Sequence, residues 1–299
     1  MGSFDRWEAA LGAPSVVTER GAATLTSTFS HEEFDAEWYS QETGEGRRQR
    51  VLMIFPKGLK SQAPAVAVPF YYPEAMLGYD PATGEELERF RGVEMMLQLV
   101  RRGYIAASAD AYHLSYIDSE KARGDFSRWQ DAADALHAKH PQYRGMGKLV
   151  DDTKLLIDLM VRDARVDADR IGIAGHSLGG KMAFYTGCLD PRVRAILASD
   201  FGIGWHQTNW QSDWYFGKDL EGMIAAGYDH ADLLGRAQKA FCLIAGQYDT
   251  DESLTIMRRA EGYTEGDARL GFINHATGHR PPEWALNEGY DFLDRWLKQ

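Results

Sequence analysis

Apolar and polar positions along this chain alternate between two periods. Short runs made up mostly of apolar residues lie at 51–55, 63–70, 104–109, 171–174, 193–199, 241–246 and 268–273. Between them, apolar residues recur every three to four positions, as on one face of a helix. The clearest such stretch is 86–102, where Leu87, Phe90, Val93, Met96, Leu97 and Val100 share one side and Gly103 marks the end. Further helices are predicted at about 148–163, directly after Ser177 through Tyr185, at 252–262 and at 282–297. From residue 63 onward strands and helices alternate, which predicts an α/β fold: a mostly parallel sheet with helices on both faces.

Three stretches lack either period. Residues 1–50 are polar and charged with Thr-rich patches, and read as an N-terminal extension packing on the fold. Residues 110–147 are irregular and rich in His, Tyr and Trp, suited to cover one end of the sheet. Residues 201–232 are rich in Trp and Gly and follow a strand, as a lid-like insertion would. With no repeats and no low-complexity linker, 1–299 reads as one domain.

Composition changes this picture little. The 299 residues are 44% hydrophobic and 26% charged, enough to bury a full core. The net charge of −11 argues against nucleic acid or an anionic membrane surface as partner. No apolar run is long enough to span a membrane, and residues 1–8 do not read as a signal peptide, so a cytoplasmic location is expected. Cys188 and Cys242 fall in a helix and a strand and read as buried small hydrophobes. No metal-ligand spacing occurs, so neither metal nor cofactor is expected, and self-association stays open.

The chemistry concentrates at Gly175-His176-Ser177-Leu178-Gly179. A strand precedes it and a helix follows, the context in which G-x-S-x-G becomes a nucleophile elbow. A serine hydroxyl needs a base to be nucleophilic. His279 is the best candidate, in the loop after the last strand and at the same sheet edge as Ser177; His275 is the rival. Asp249 follows the strand 241–246 and is the first choice for the carboxylate that orients the base, with Asp200, at the end of 193–199, the alternative. Ser177, Asp249, His279 is the order nucleophile, acid, base. The N–H of Leu178 and a backbone N–H of Tyr71 or Tyr72 would form the oxyanion hole.

The elbow, the turn Gly246–Asp249 and Gly278-His279 before a closing helix resemble α/β-hydrolases of the dienelactone-hydrolase and acetyl-xylan-esterase type. Dienelactone hydrolases proper use a cysteine nucleophile, so Ser177 makes the resemblance imply an esterase more than a lactone hydrolase. The run Ser199-Asp200-Phe201-Gly202 also resembles glucuronoyl esterases, in which an acid can follow that strand. The resemblance implies hydrolysis of a carboxylic ester through an acyl-enzyme, with a small acyl group such as acetyl on a carbohydrate or small molecule.

Trp205, Trp210 and Trp214, together with Tyr112, are candidate substrate-binding residues, because aromatic faces with polar neighbours suit a sugar or aryl ester. Two other functions fit the same residues. One is a peptidase of the prolyl-oligopeptidase type, which would be expected to carry a propeller domain. The other is a non-catalytic hydrolase fold that binds a small ligand.

Overall fold

The computed structural model describes residues 5–118 and 127–299. Among the described residues nine strands form one sheet: β1 (Arg20–Ser30), β2 (Phe34–Thr43), β3 (Arg48–Pro56), β4 (Ala63–Ala67), β5 (Ile105–Ala109), β6 (Val166–His176), β7 (Val193–Ser199), β8 (Ala240–Ala245) and β9 (Leu270–Asn274). Their order is β1-β2-β3-β5-β4-β6-β7-β8-β9. Strands β4 to β9 pair in parallel, and β1, β2 and β3 add an antiparallel edge. Strands β4, β5 and β8 are buried along their whole length. Helices cover both faces of the parallel part, and such strands read as continuous apolar runs.

Side-chain alternation along β6 shows the two layers. A Cβ placed on Gly172 would meet Leu297 of the C-terminal helix Glu283–Leu297. Its neighbour Ile173 instead packs beside Gly187 of the helix Leu178–Leu189. The helix of Ser177 and the C-terminal helix therefore lie on opposite faces. With parallel strands, their carboxyl ends share one edge, and the loops there meet.

The N-terminal residues are not an appended segment. They supply β1 and β2, which pair with each other and, through β3, with the rest of the sheet. Their polar composition reflects a strand at a solvated edge: β1 is largely exposed, whereas Phe34 and Ala36 of β2 are buried. The helix expected over 86–102 is interrupted. A 3₁₀ turn at Glu88–Phe90 and the helix Met95–Arg101 are separated by Gly92, whose φ is 86°. The irregular stretch 110–147 lies partly outside the described residues; within them are the helices His113–Tyr116 and Ser127–Lys139. Among the described residues no helix is long and apolar enough to cross a membrane.

Candidate active site

Strand β6 ends at His176, and Ser177 takes φ 57° and ψ −118° before the helix starts at Leu178. A non-glycine residue at positive φ is strained, and such strain tends to sit at functional positions. Two glycines make the turn possible. A Cβ on Gly175 would lie 2.1 Å from the Gly179 carbonyl oxygen, and one on Gly179 would lie 2.3 Å from the Pro69 carbonyl oxygen. The second contact also shows that the start of this helix packs against the loop after β4. The Leu178 N–H thus opens a helix beside Phe70 and Tyr71.

His279 sits in the loop after β9. Its Nδ1 donates to Asp200 Oδ2 at 2.7 Å. Asp200 ends β7 with φ 44°, and its other oxygen accepts from the backbone N–H groups of Gly246, Gln247, Tyr248 and Asp249 at 2.9–3.1 Å. Burial pushes this carboxyl up, but the His279 bond and the amides outweigh burial and hold it below the usual carboxylate range. The imidazole of His279 is packed between two rings, His176 at 4.5 Å and Tyr248 edge-on at 4.8 Å. Burial pushes His176 down to about 3, so it stays neutral, with Nδ1 3.1 Å from the Ser199 hydroxyl.

Ser177, Leu178, Asp200 and His279 line one cavity of about 900 Å³. Part of its lining is apolar or aromatic, with Phe70, Tyr71, Phe90 and Val93; another part is polar, with Gln207, Thr208 and Asn209. Lys181, one helical turn beyond Ser177, also lines it. Its ammonium donates to the Phe201 carbonyl at 3.0 Å and lies 3.8 Å from the Trp210 ring centre. Among the described residues it pairs with no carboxylate, and burial lowers its pKa well below the ordinary lysine value. Arg89 and Arg280 stand at the exposed rim, joined by a bond from Arg280 Nη2 to the Arg89 carbonyl at 2.6 Å. Among the described residues no cluster of His, Cys, Asp and Glu is arranged to hold a metal ion.

Residues 82–239, just over half of the chain, match the dienelactone hydrolase family. The chain belongs to that family. No curated protein matches it in sequence. Solved structures resemble it in fold. A glucuronoyl esterase from Solibacter usitatus superposes with a TM-score of 0.73 at 14% identity, over 98% of this chain and 90% of that one. A glucuronoyl esterase from Teredinibacter turnerae gives 0.67 at 17% identity, over 97% and 82%. Acetyl xylan esterase 1 from a Thermoanaerobacterium species gives 0.60 at 15% identity, over 97% and 92%.

This family member places several expected site residues differently from the sequence reading. Asp249, the first choice for the acid, does not hydrogen-bond His279. It is fully buried, and both of its oxygens are occupied by the N–H groups of Gly202 and Ile203 and the hydroxyl of Ser253. Asp200, the alternative, makes the histidine contact. His275 instead meets the Thr277 hydroxyl. Tyr71 lines the cavity, but Tyr72 does not; its ring packs edge-on against Phe90.

The aromatic candidates do not line the cavity either. Trp210 is buried and donates its indole N–H to the Gly202 carbonyl. Trp205 donates to the Tyr228 carbonyl, and Trp214 stacks on Trp129. Tyr112 is buried beside Trp129, whose ring also approaches Tyr71. Large indoles in this segment fill its packing, while the short polar residues between them face the cavity. Lys181 had a sequence signal that was missed: the spacing of four from Ser177 puts both on one helix face.

Proposed function

We propose that this protein cleaves carboxylic esters as a serine hydrolase, by way of an acyl-enzyme. The observation that carries this reading is a strained serine at an elbow, sharing a cavity with a histidine that a buried carboxylate holds by Nδ1. With Nδ1 engaged, Nε2 of His279 is the atom left to take the Ser177 proton and later to activate water. Asp200 fixes the tautomer and stabilises the imidazolium. The N–H groups of Leu178 and Tyr71 are assigned to the oxyanion, since both residues border Ser177 in the cavity.

The substrate is assigned as a small-acyl ester, acetyl in the first instance, of a carbohydrate or similar polyhydroxylated molecule. The amide and hydroxyl groups of Gln207, Thr208 and Asn209 favour a hydroxylated partner, and the carbohydrate-esterase names of the fold neighbours agree. Purified protein should hydrolyse p-nitrophenyl acetate, and Ser177→Ala should abolish turnover without changing the thermal midpoint. Equal rates for the two proteins would reject the serine mechanism. A panel of acetylated sugars, aryl esters and lactones then ranks the acyl and alcohol parts.

A further inference from the structure

Asp249 occupies the position that chain order gives to the triad acid, yet its hydrogen bonds go to Gly202, Ile203 and Ser253 and not to the base. Its environment assigns it other work. One oxygen accepts from the Gly202 N–H at 2.8 Å; the other accepts from the Ile203 N–H at 2.8 Å and the Ser253 hydroxyl at 2.9 Å. Those two amides lie two and three residues beyond Asp200. In return, Asp200 gathers the four amides that lead up to Asp249. Each aspartate thus organises the turn that carries the other.

The turn after Asp200 needs such support. Asp200 and Gly202 both have positive φ, 44° and 74°. The Ile203 carbonyl accepts from His230 Nδ1 at 2.6 Å, and the Gly204 N–H donates to Gln207 Oε1 at 2.7 Å. Gln207 also meets Ser253, the hydroxyl that serves Asp249. Remove the carboxylate of Asp249 and two buried N–H groups lose their acceptor, in the turn that sets the direction of the Asp200 side chain.

We propose that Asp249 is a positioning residue: it locks the 200–204 turn, and through that turn it aligns the Asp200 carboxylate with His279. The proposal rests on the ester-hydrolase reading above. The groups facing His279 are Asp200, His176 and Tyr248, with Arg280 next in the chain; those facing Asp249 are Asp200 and, at longer range, Lys181.

The test is kcat and KM with p-nitrophenyl acetate, together with the thermal midpoint, for wild type, Asp200→Asn, Asp249→Asn and Ser253→Ala. Asp200→Asn should lose on the order of 10⁴-fold in kcat, as expected when the base loses its orienting carboxylate. Asp249→Asn should keep KM and lose roughly 10- to 100-fold in kcat, the scale of a small misplacement. Ser253→Ala should lower kcat by less, also at unchanged KM, which keeps the test intact if Asp249→Asn does not fold.

Two results overturn the proposal. A loss in Asp249→Asn equal to or above that of Asp200→Asn makes Asp249 the acid itself. An unmoved kcat in Asp249→Asn or Ser253→Ala, with only a lower thermal midpoint, makes the carboxylate a packing element. Undiminished turnover by Ser177→Ala would instead remove the ester-hydrolase reading, and the proposal with it, whatever the aspartate variants do.

Discussion

Gly179 has a carbonyl oxygen where any other residue would need a Cβ. The 2.3 Å approach to the Pro69 oxygen means that Gly179→Ala must push the helix start away from the loop after β4. Overpacking of this kind costs about 1–3 kcal/mol. Here it also separates the two amides assigned to the oxyanion, so activity should fall further than stability. Thermal melts and p-nitrophenyl acetate rates on the same preparation would check this. At this scale the sequence was legible wherever a motif constrains the backbone: Gly175, Ser177 and Gly179 read correctly as a tight turn. It was not legible for the acid. Asp200 and Asp249 both end strands at the same sheet edge, and nothing in their spacing tells which carboxylate turns to His279. That depends on which amides each turn presents, a property of backbone direction.

At the scale of elements, apolar runs and helical periods located the parallel strands and their helices because each is covered on a known face. Strands β1 and β2 escaped because a solvated edge strand carries little apolar signal. They are nevertheless tied in by a buried ion cluster. Lys148, on the helix Gly145–Arg162, meets Glu45 of the β2–β3 turn at 2.5 Å and Asp152 at 2.6 Å. One ammonium cannot neutralise two buried carboxylates. Burial raises the Asp152 carboxyl to about 7, with Lys148 opposing and Glu45 adding to the rise.

A carboxyl raised in the folded state binds more protons folded than unfolded. Its contribution to stability is present below about pH 4, the unfolded value, and is lost as pH rises through about 7. Asp152→Asn removes that titration. The thermal midpoint of the variant relative to wild type should therefore rise between about pH 5 and about pH 7.5. A constant gap across that range would contradict the assignment.

Across the whole molecule the charge is −11, yet the rim of the cavity at Ser177 carries Arg89 and Arg280. Among the described residues Arg89 and Arg280 have no carboxylate within ion-pair distance, and Asp200, the carboxylate lining the cavity, is engaged by His279. On the ester-hydrolase reading proposed above, a basic entrance on an acidic protein should favour substrates that carry a negative group near the ester. Arg89→Ala and Arg280→Ala should raise KM for an acetylated acidic sugar several-fold, with little change for p-nitrophenyl acetate. The difference should shrink as salt is raised. Equal effects on both substrates would place the arginines in a packing role.

The order of amino acids by itself determined the α/β architecture, the elbow at Ser177 and the candidate base at His279. Each rests on a local rule: a period, a turn that demands glycine, a loop after a strand. Only the tertiary structure decided that β1 and β2 join the sheet, that Asp200 and not Asp249 meets His279, and that Gln207, Thr208 and Asn209 face the cavity while the tryptophans are turned to packing. Those outcomes depend on contacts between segments far apart in the chain. Which groups meet there is set by backbone direction and the satisfaction of buried N–H groups, and neither is written in any local pattern.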